Sequence, residues 1–317
     1  GDLTMLEIIS ALDLSQEVQD LYARGLPPGA STGFPSLDRH YTVAKGQWTA
    51  VTGVPGHGKS EFLDAILVNL AWQGWRFCMF SPENQPHQLH VAKLVEKFAR
   101  KPFGEGPQER LSPAELKAGM FHVESAFSFL RVSKEFAAVP SLDSVLDGCQ
   151  RVLQKWMDDF SMTADSPNWK CGVVIDPWNE MDHGRPNNMS ETEYISSCLS
   201  VIRQFARDWN IHIWLVAHPA KLQKDKDNNY PVARLWDISG SAHWANKCDA
   251  GITVWRNVTD PHSLVQIHVQ KVRFRNVGKP GLVELGYDRA SGCYWDQWPN
   301  WKPHAVRVQR EESECPV

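Results

Sequence analysis

The eight residues from Gly53 to Ser60 constrain the fold more than any other part of this chain. They read Gly-Val-Pro-Gly-His-Gly-Lys-Ser and match the phosphate-loop pattern G-x-x-x-x-G-K-[S/T] without a gap. Glycines let a backbone wrap closely around phosphate oxygens, so that successive N–H groups point at the negative charge. Lys59 is predicted to reach the β- and γ-phosphates, and the Ser60 hydroxyl to bind Mg²⁺. The predicted nucleotide-binding residues are Gly53, Val54, Pro55, Gly56, His57, Gly58, Lys59 and Ser60.

The residues on either side of this loop support the match. Gln47–Thr52 is typical of a buried strand that leads into the loop. Apolar residues then recur at helical spacing, which places the phosphates at a helix N-terminus. The alternative is a glycine-rich turn that contains Lys-Ser by chance. The context favours a nucleoside-triphosphate site, and the apolar residues of the predicted helix are Phe62, Leu63, Ile66, Leu67 and Leu70.

Length and composition limit the class of protein. The 317 residues suffice for one large α/β domain with a small appendage. No apolar run approaches the roughly 18 residues that span a bilayer, and no secretory signal is recognisable, so no membrane partner is expected. Seven cysteines without a C-x-x-C pair indicate a reducing compartment. A net charge of −4 excludes a generally basic protein, so any nucleic-acid site must be a local positive patch.

The chain alternates predicted strands and helices as far as about residue 250, and only strands follow. This order predicts an α/β fold: a mostly parallel central sheet with helices on both faces and antiparallel strands added at the C-terminal end. We expect Ser112–Glu115 to be a capping box. In the helix predicted for Gln88–Arg100, Leu89 is expected to face inward and His90 to lie on the surface.

The first 30 residues form a separate segment. Apolar residues between Leu6 and Tyr22 suggest one or two short amphipathic helices, and the Pro/Gly-rich residues 24–29 suggest a linker. The helix could pack on its own domain or dock on a neighbouring subunit, and the sequence does not choose between the two. Because the chain opens with Gly1, we expect either an excised fragment of a longer protein or a chain from which a tag was cleaved.

Three further residues follow predicted strands, where ligands bind in parallel sheets. Asp176 follows Gly172–Ile175 and is a candidate ligand of Mg²⁺, although an aspartate there is often only a turn former. Glu83 is a candidate base for the attacking water, with a solvated loop glutamate as the alternative. His218 is a candidate γ-phosphate sensor, although a lone histidine at a strand end is more often simply hydrogen-bonded.

Lys271 and Arg273 are separated by one residue on a predicted strand, so they lie on the same face. They are either exposed charges or cations that reach the nucleotide of an adjacent subunit. Such an arginine finger can be worth about 10³–10⁵ in rate.

Taken in order, these motifs resemble those of the DnaB-type ring-forming replicative helicases, especially the Twinkle and phage primase-helicase branch. The similarity runs from about Ser31 to about Trp295. The phosphate loop alone indicates only an NTPase, whereas the ordered set with a late Lys-x-Arg is much more specific. The matching segments are Ser31–Asp38, Lys45–Gly53, the phosphate loop, Phe80–Glu83, Val173–Asp176, Leu215–His218, Ile238–Ser241 and Lys271–Phe274.

The resemblance implies a RecA-like motor domain (residues 31–300) between an N-terminal linker helix region (1–30) and a C-terminal tail (301–317). It implies a homo-hexamer that hydrolyses ATP or another NTP with Mg²⁺ between subunits and unwinds DNA, with 5′–3′ polarity expected. A primase domain or protein could lie outside this fragment. The implied compartment is bacterial or phage-infected cytoplasm, or the mitochondrial matrix. The implied catalytic residues are Lys59, Glu83 as base, His218 as sensor, and Lys271 and Arg273 acting in trans.

The resemblance also implies that two loops per subunit, Glu180–Glu193 and Lys221–Ser241, hold one DNA strand in a central channel. This chain departs from the family pattern at Ala242–Trp244, where relatives commonly carry a basic residue. A solvated loop is the alternative reading of the lysines. The candidate DNA-binding residues are Lys221, Lys224, Lys226, Arg234, Gly240 and Ser241.

Three functions remain open at this stage: a DNA helicase motor, which the motifs favour, a RecA-like DNA-binding ATPase that does not unwind, and a small-substrate P-loop kinase. A kinase usually carries an Arg-rich lid, which is not evident here. A recombinase usually lacks the late Lys-x-Arg hairpin.

Overall fold

The computed structural model describes residues 7–133, 135, 138–240 and 242–308 of the chain. Two short 3₁₀ turns, Trp178–Glu180 and Leu235–Asp237, accompany the helices and strands. The helices are α1 Ser15–Arg24, α2 Pro35–Asp38, α3 Lys59–Ala71, α4 His87–Ala99, α5 Pro113–Ala126, α6 Leu142–Phe160, α7 Glu191–Asp208 and α8 His243–Lys247. The strands are β1 Trp48–Thr52, β2 Arg76–Phe80, β3 Phe127–Leu130, β4 Cys171–Ile175, β5 His212–Val216, β6 Ala250–Arg256, β7 Val265–Val272, β8 Gly281–Asp288 and β9 Cys293–Trp295.

The strands form one twisted sheet in the order β3-β2-β4-β5-β1-β6-β7-β8-β9. Pairings from β3 to β6 are parallel, whereas β6, β7, β8 and β9 pair antiparallel. The predicted fold class is therefore confirmed. Because the six parallel strands point the same way, the loops that follow β1, β2, β4 and β5 meet at one edge.

Each face of the sheet has its own apolar core, because neighbouring residues of a strand point to opposite faces. Val51 belongs to the core under α3 and α4, and its neighbour Ala50 to the core under α6 and α7. Strands buried on both faces are consequently apolar throughout, as in Val173–Ile175. The sheet thus forms a rigid support for the loops at its edge.

Helix ends follow the capping chemistry that the sequence predicts. Ser112 accepts a hydrogen bond from the Glu115 N–H while the Glu115 carboxylate accepts one from the Ser112 N–H, so the predicted capping box is confirmed. The prediction for Leu89 is wrong. Its side chain is 57% exposed, since α4 turns Leu94, Val95 and Phe98 to the core.

The N-terminal segment differs from the rest. Helix α1 contains no buried residue, and Leu12, Val18 and Tyr22 are exposed on it or just before it. It therefore adds no side chain to either apolar core of the sheet. Leu6 lies outside the described residues. Among the described helices, none combines the length and the apolar character that a membrane span requires.

Candidate active site

The phosphate loop joins the end of β1 to the start of α3, as the sequence predicts. Gly53, Gly56 and Gly58 have positive φ values of 144°, 82° and 95°. A Cβ at Gly53 would lie 2.4 Å from the Val254 carbonyl oxygen, so a side chain there would clash with backbone. The loop thus depends on glycine for both conformation and space. It leads directly into α3, and the free N–H groups at a helix N-terminus favour an anion.

Lys59 is buried at the start of α3. Its Nζ donates hydrogen bonds to the carbonyl oxygens of Gly53 at 2.8 Å and Val54 at 3.3 Å. Burial lowers the pKa of Lys59, while the nearby carboxylates of Asp176 and Glu83 oppose this effect. The ammonium group is thus held inside the loop, where a cradled phosphate would replace the carbonyl contacts.

Ser60 and Asp176 come together although 116 residues separate them. The Ser60 hydroxyl donates to Asp176 Oδ2 at 2.6 Å, while Asp176 Oδ1 is buried without a partner among the described residues. Burial raises the pKa of Asp176 to about 6, and the carboxylates of Asp64 and Glu83 add to the shift. A hydroxyl beside a carboxylate with an unused oxygen fits Mg²⁺, a cation that prefers oxygen ligands and would relieve the buried charge.

Glu83 and His218 face each other across the same edge of the sheet. His218 Nε2 lies 3.0 Å from Glu83 Oε1, and both side chains are partly exposed. They line a pocket of about 440 Å³ together with the phosphate loop. In the described part of the chain, the groove of about 800 Å³ beside β3 and α6 contains none of the predicted site residues.

The same pocket contains residues that the sequence analysis missed. Arg256 ends β6 and donates from Nη2 to the Gly56 carbonyl at 3.3 Å, and Tyr287 and Tyr294 also line the pocket. The backbone N–H of Arg256 donates to His57 Nδ1 at 3.2 Å. Burial, with help from Arg256 and Lys59, lowers the pKa of His57 to about 4, so this imidazole is neutral at pH 7. The sequence carried no signal for these contacts, because the pairing of β6 with β1 is set by the tertiary structure.

The surface position predicted for His90 is wrong. His90 is 1% exposed, and its Nε2 lies 3.0 Å from Asp64 Oδ2 on α3. Burial alone would lower the pKa of His90, but the Asp64 carboxylate raises it above the ordinary value. This ion pair fastens α4 to α3 directly behind the phosphate loop.

Lys271 and Arg273 lie outside the pocket. Lys271 Nζ donates to the carbonyl oxygens of Ala245 at 2.7 Å and Asn246 at 2.9 Å, at the end of α8. Arg273 donates to the Asn246 carbonyl at 3.1 Å and pairs with buried Asp249 at 3.3 Å. These contacts hold both cations away from the phosphate loop of their own chain.

Among the candidate DNA-binding residues, the three lysines are exposed, whereas the arginine is paired with a carboxylate. Lys221, Lys224 and Lys226 are exposed, and Lys224 Nζ lies 5.1 Å from the Tyr230 ring centroid. Arg234 is bound by Asp237, with Nη2 2.9 Å from Oδ1, so its charge is largely compensated. Gly240 has a φ of 93° and packs against α7. Ser241 lies outside the described residues.

Comparison with known proteins agrees with these observations. The chain is 39% identical over 302 residues to the Twinkle homolog protein, chloroplastic/mitochondrial, of Arabidopsis thaliana. The match covers 92% of this chain but 40% of that protein, so the chain spans less than half the length of this relative. The resemblance predicted from the motifs is confirmed. No family model matches the chain.

Solved structures identify the fold as RecA-like. One of them, a structure of an isolated ATPase domain, superposes with a TM-score of 0.73 at 16% identity, covering 92% of this chain and 99% of that one. A DnaB-like replicative helicase gives 0.71 at 17% identity, covering 93% and 69%. The RadB recombinase gives 0.51 at 17% identity, covering 84% and 98%.

Proposed function

Because this chain is a relative of the Twinkle branch of the DnaB-type helicases over 302 residues and has the RecA-like fold, we propose that it is a helicase motor domain. In this proposal, NTP hydrolysis drives movement along single-stranded DNA, with 5′–3′ polarity, and separates the duplex during replication.

One observation carries the proposal: the polar groups that hydrolysis requires are divided between two places. Lys59, Glu83 and His218 line one pocket, whereas Lys271 and Arg273 are fixed outside it on the end of α8. A site divided in this way is suited to a subunit interface, where a neighbour supplies the missing cations. Ring-forming motors are built on such interfaces.

Inside the pocket, each group has a role that follows from its position. The phosphate-loop N–H groups and Lys59 hold the β- and γ-phosphates of ATP or another NTP. Ser60 and Asp176 hold Mg²⁺, which when bound neutralises charge that develops on the phosphate oxygens. Arg256, Tyr287 and Tyr294 enclose the rest of the nucleotide.

Glu83 orients the attacking water and accepts its proton, because its carboxylate is partly exposed at the pocket mouth. His218 fixes one Glu83 oxygen at 3.0 Å and leaves the other for the water. His218 is also placed to register whether the γ-phosphate is present.

Outside the pocket, Lys271 and Arg273 act on the nucleotide of the adjacent subunit. Helix α1 buries none of its residues and leaves apolar side chains exposed, so we assign it to docking on a neighbour. A homo-hexamer follows as the proposed assembly. The division into linker (1–30), motor (31–300) and tail (301–317) stays a prediction.

The proposed DNA contacts are the loops 180–193 and 221–241, with the lysines of the second loop supplying charge. Six copies would concentrate even a modest patch around a channel. One structural relative is a DnaB-like helicase described with its interactions with primase, and a primase domain or protein is the further partner that we propose here. The Arabidopsis relative is named chloroplastic/mitochondrial, which favours the mitochondrial matrix among the predicted compartments.

Strand displacement on a forked duplex tests the proposal. We expect displacement that requires a hydrolysable NTP and Mg²⁺ and is lost in Lys59→Ala, with Lys155→Ala as a surface-lysine control. DNA-stimulated hydrolysis without displacement would instead support the non-unwinding ATPase. Hydrolysis independent of both DNA and assembly would support the kinase class.

A further inference from the structure

The backbone of His218 is held from two sides. Its N–H donates to Asn179 Oδ1 at 2.8 Å, and its carbonyl oxygen accepts from the Ser239 N–H at 3.4 Å. Its imidazole contacts Glu83 at 3.0 Å. One residue therefore connects two loops to the candidate base.

Both holding residues adjoin the candidate DNA loops. Asn179 immediately precedes the loop 180–193, and Ser239 lies within the loop 221–241. The base of the second loop is closed by the bridge between Pro219 and Ile238. The loops also touch, since Thr192 Oγ1 donates to the Gly240 carbonyl at 3.3 Å. A DNA strand that displaces either loop therefore moves a residue that is hydrogen-bonded to the His218 backbone.

We propose that Asn179 is a positioning residue that couples single-stranded DNA binding to the Glu83–His218 pair through its hydrogen bond to the His218 backbone. This inference rests on the proposed function. Hydrogen bonds weaken steeply as distance and angle change, so a shift of the Asn179 amide alters how firmly the His218 backbone is held. The imidazole, and with it the carboxylate of Glu83, then changes orientation.

The turn that carries Asn179 is suited to transmit such a shift. Trp178 is buried against Trp244, with ring centroids 5.6 Å apart, and its ring centroid lies 4.3 Å from that of His183 in the first loop. His183 in turn contacts the Trp178 carbonyl at 2.9 Å. The aromatic contacts join the first loop to the turn, and exposed Asn179 extends the connection to His218.

Coupling between two binding sites is reciprocal. If Asn179 links the nucleotide site to the DNA site, a nucleotide that favours one arrangement of His218 raises the affinity for DNA by some factor. DNA then raises the affinity for the nucleotide by the same factor. This factor, the coupling factor, is measurable by binding alone, without turnover.

The experiment measures the affinity of a fluorescent oligothymidylate for the full chain, with and without a non-hydrolysable ATP analogue. Asn179→Leu keeps the side-chain volume but removes the acceptor, and we expect it to lower the coupling factor about fivefold, the effect of losing one hydrogen bond. Affinity for the analogue without DNA should stay unchanged. Asn179→Asp keeps the acceptor oxygen and should retain the coupling. Gln154→Leu removes a side-chain amide in the same way on the exposed face of α6, outside both loops, and should leave the factor unaltered.

Two results with the variants would overturn the inference: full coupling in Asn179→Leu, or an Asn179→Asp protein as defective as Asn179→Leu. A wild-type chain that binds DNA and analogue without coupling would overturn it as well. A wild-type chain that binds no oligothymidylate contradicts the proposed function itself, so the two failures are distinguishable.

Discussion

Polar groups inside the pocket that the phosphate loop lines and cations outside it are held in different ways. Lys59 and Asp176 are buried: Lys59 donates to a carbonyl oxygen of the loop that follows β1, and Asp176 accepts from the Ser60 hydroxyl at the start of α3. Outside, Lys221 and Lys226 are exposed in a long loop, while Arg273 is fixed by carbonyl oxygens at the end of a short helix. The side chains in the pocket are thus held most firmly, Arg273 less firmly, and the exposed lysines least.

This gradient indicates what each group can do. Chemistry on a phosphate requires that donors and a base be positioned to within a few tenths of an ångström, which hydrogen-bonded side chains lining a defined pocket supply. A finger that acts across an interface needs a defined direction, which the end of α8 provides. Contact with a nucleic-acid backbone needs little more than charge, so exposed surface lysines suffice.

The contrast between pocket residues and outside cations would fail if Arg273 acted on the nucleotide of its own subunit. We expect Arg273→Ala to slow hydrolysis by about 10³–10⁵-fold, because a transition-state cation is lost. Mixing it with inactive Glu83→Gln should restore part of the activity in a steady-state hydrolysis assay. Arg289→Ala, an exposed arginine in the β8–β9 turn, is the control. Absence of restoration in the mixture would mean action in cis.

Glu83→Gln probes the pocket side. Because glutamine cannot accept the proton of the attacking water, hydrolysis should fall by about 10²–10⁴-fold. Nucleotide binding, measured by equilibrium titration with a fluorescent analogue, should persist. Near-normal turnover would remove Glu83 from the role of base.

The buried pair behind the pocket should appear in stability measurements. His90→Leu leaves the Asp64 carboxylate buried and unpaired, which we expect to lower the free energy of unfolding by about 3–5 kcal/mol. The double variant Asp64→Leu/His90→Leu should recover most of this loss. Denaturant titration at neutral pH measures the unfolding free energy of both variants. Equal losses in the single and the double variant would contradict an ion pair between Asp64 and His90.

The same pair predicts a pH dependence. The pKa of His90 is raised above 6.5 in the folded chain, so its stabilising effect is complete below that pH. The effect is lost as pH rises through the raised value. The difference in unfolding free energy between wild type and the double variant should therefore decrease above about pH 6.5. A difference that increases with pH would contradict this.

The smallest effect is expected for the lysines. Replacing Lys221, Lys224 and Lys226 together by alanine should weaken binding of single-stranded DNA and reduce the slope of log affinity against log salt by about two units. Arg234→Ala should change less, because Asp237 already compensates its charge. An unchanged slope in the triple variant would place the DNA contacts elsewhere.

Much of this architecture was predictable because its signals are local. The alternation of strands and helices predicts the sheet, and the capping box Ser112–Glu115 predicts the start of a helix. Glu83 and His218 were candidates because both follow strands, and the parallel sheet brings them within 3.0 Å. Leu89 and His90 were misplaced because the inward face of α4 depends on how the helix is rotated against α3.

Eight consecutive residues were enough to determine a glycine loop ahead of a helix, a geometry suited to phosphate, since every group involved belongs to one backbone segment. The contact of Arg256 with Gly56, the Asp64–His90 pair and the bond between Asn179 and His218 were decided by the tertiary structure alone. Their partners lie between 26 and 200 residues apart. Such contacts depend on the order and register of the strands, which no short stretch of sequence specifies.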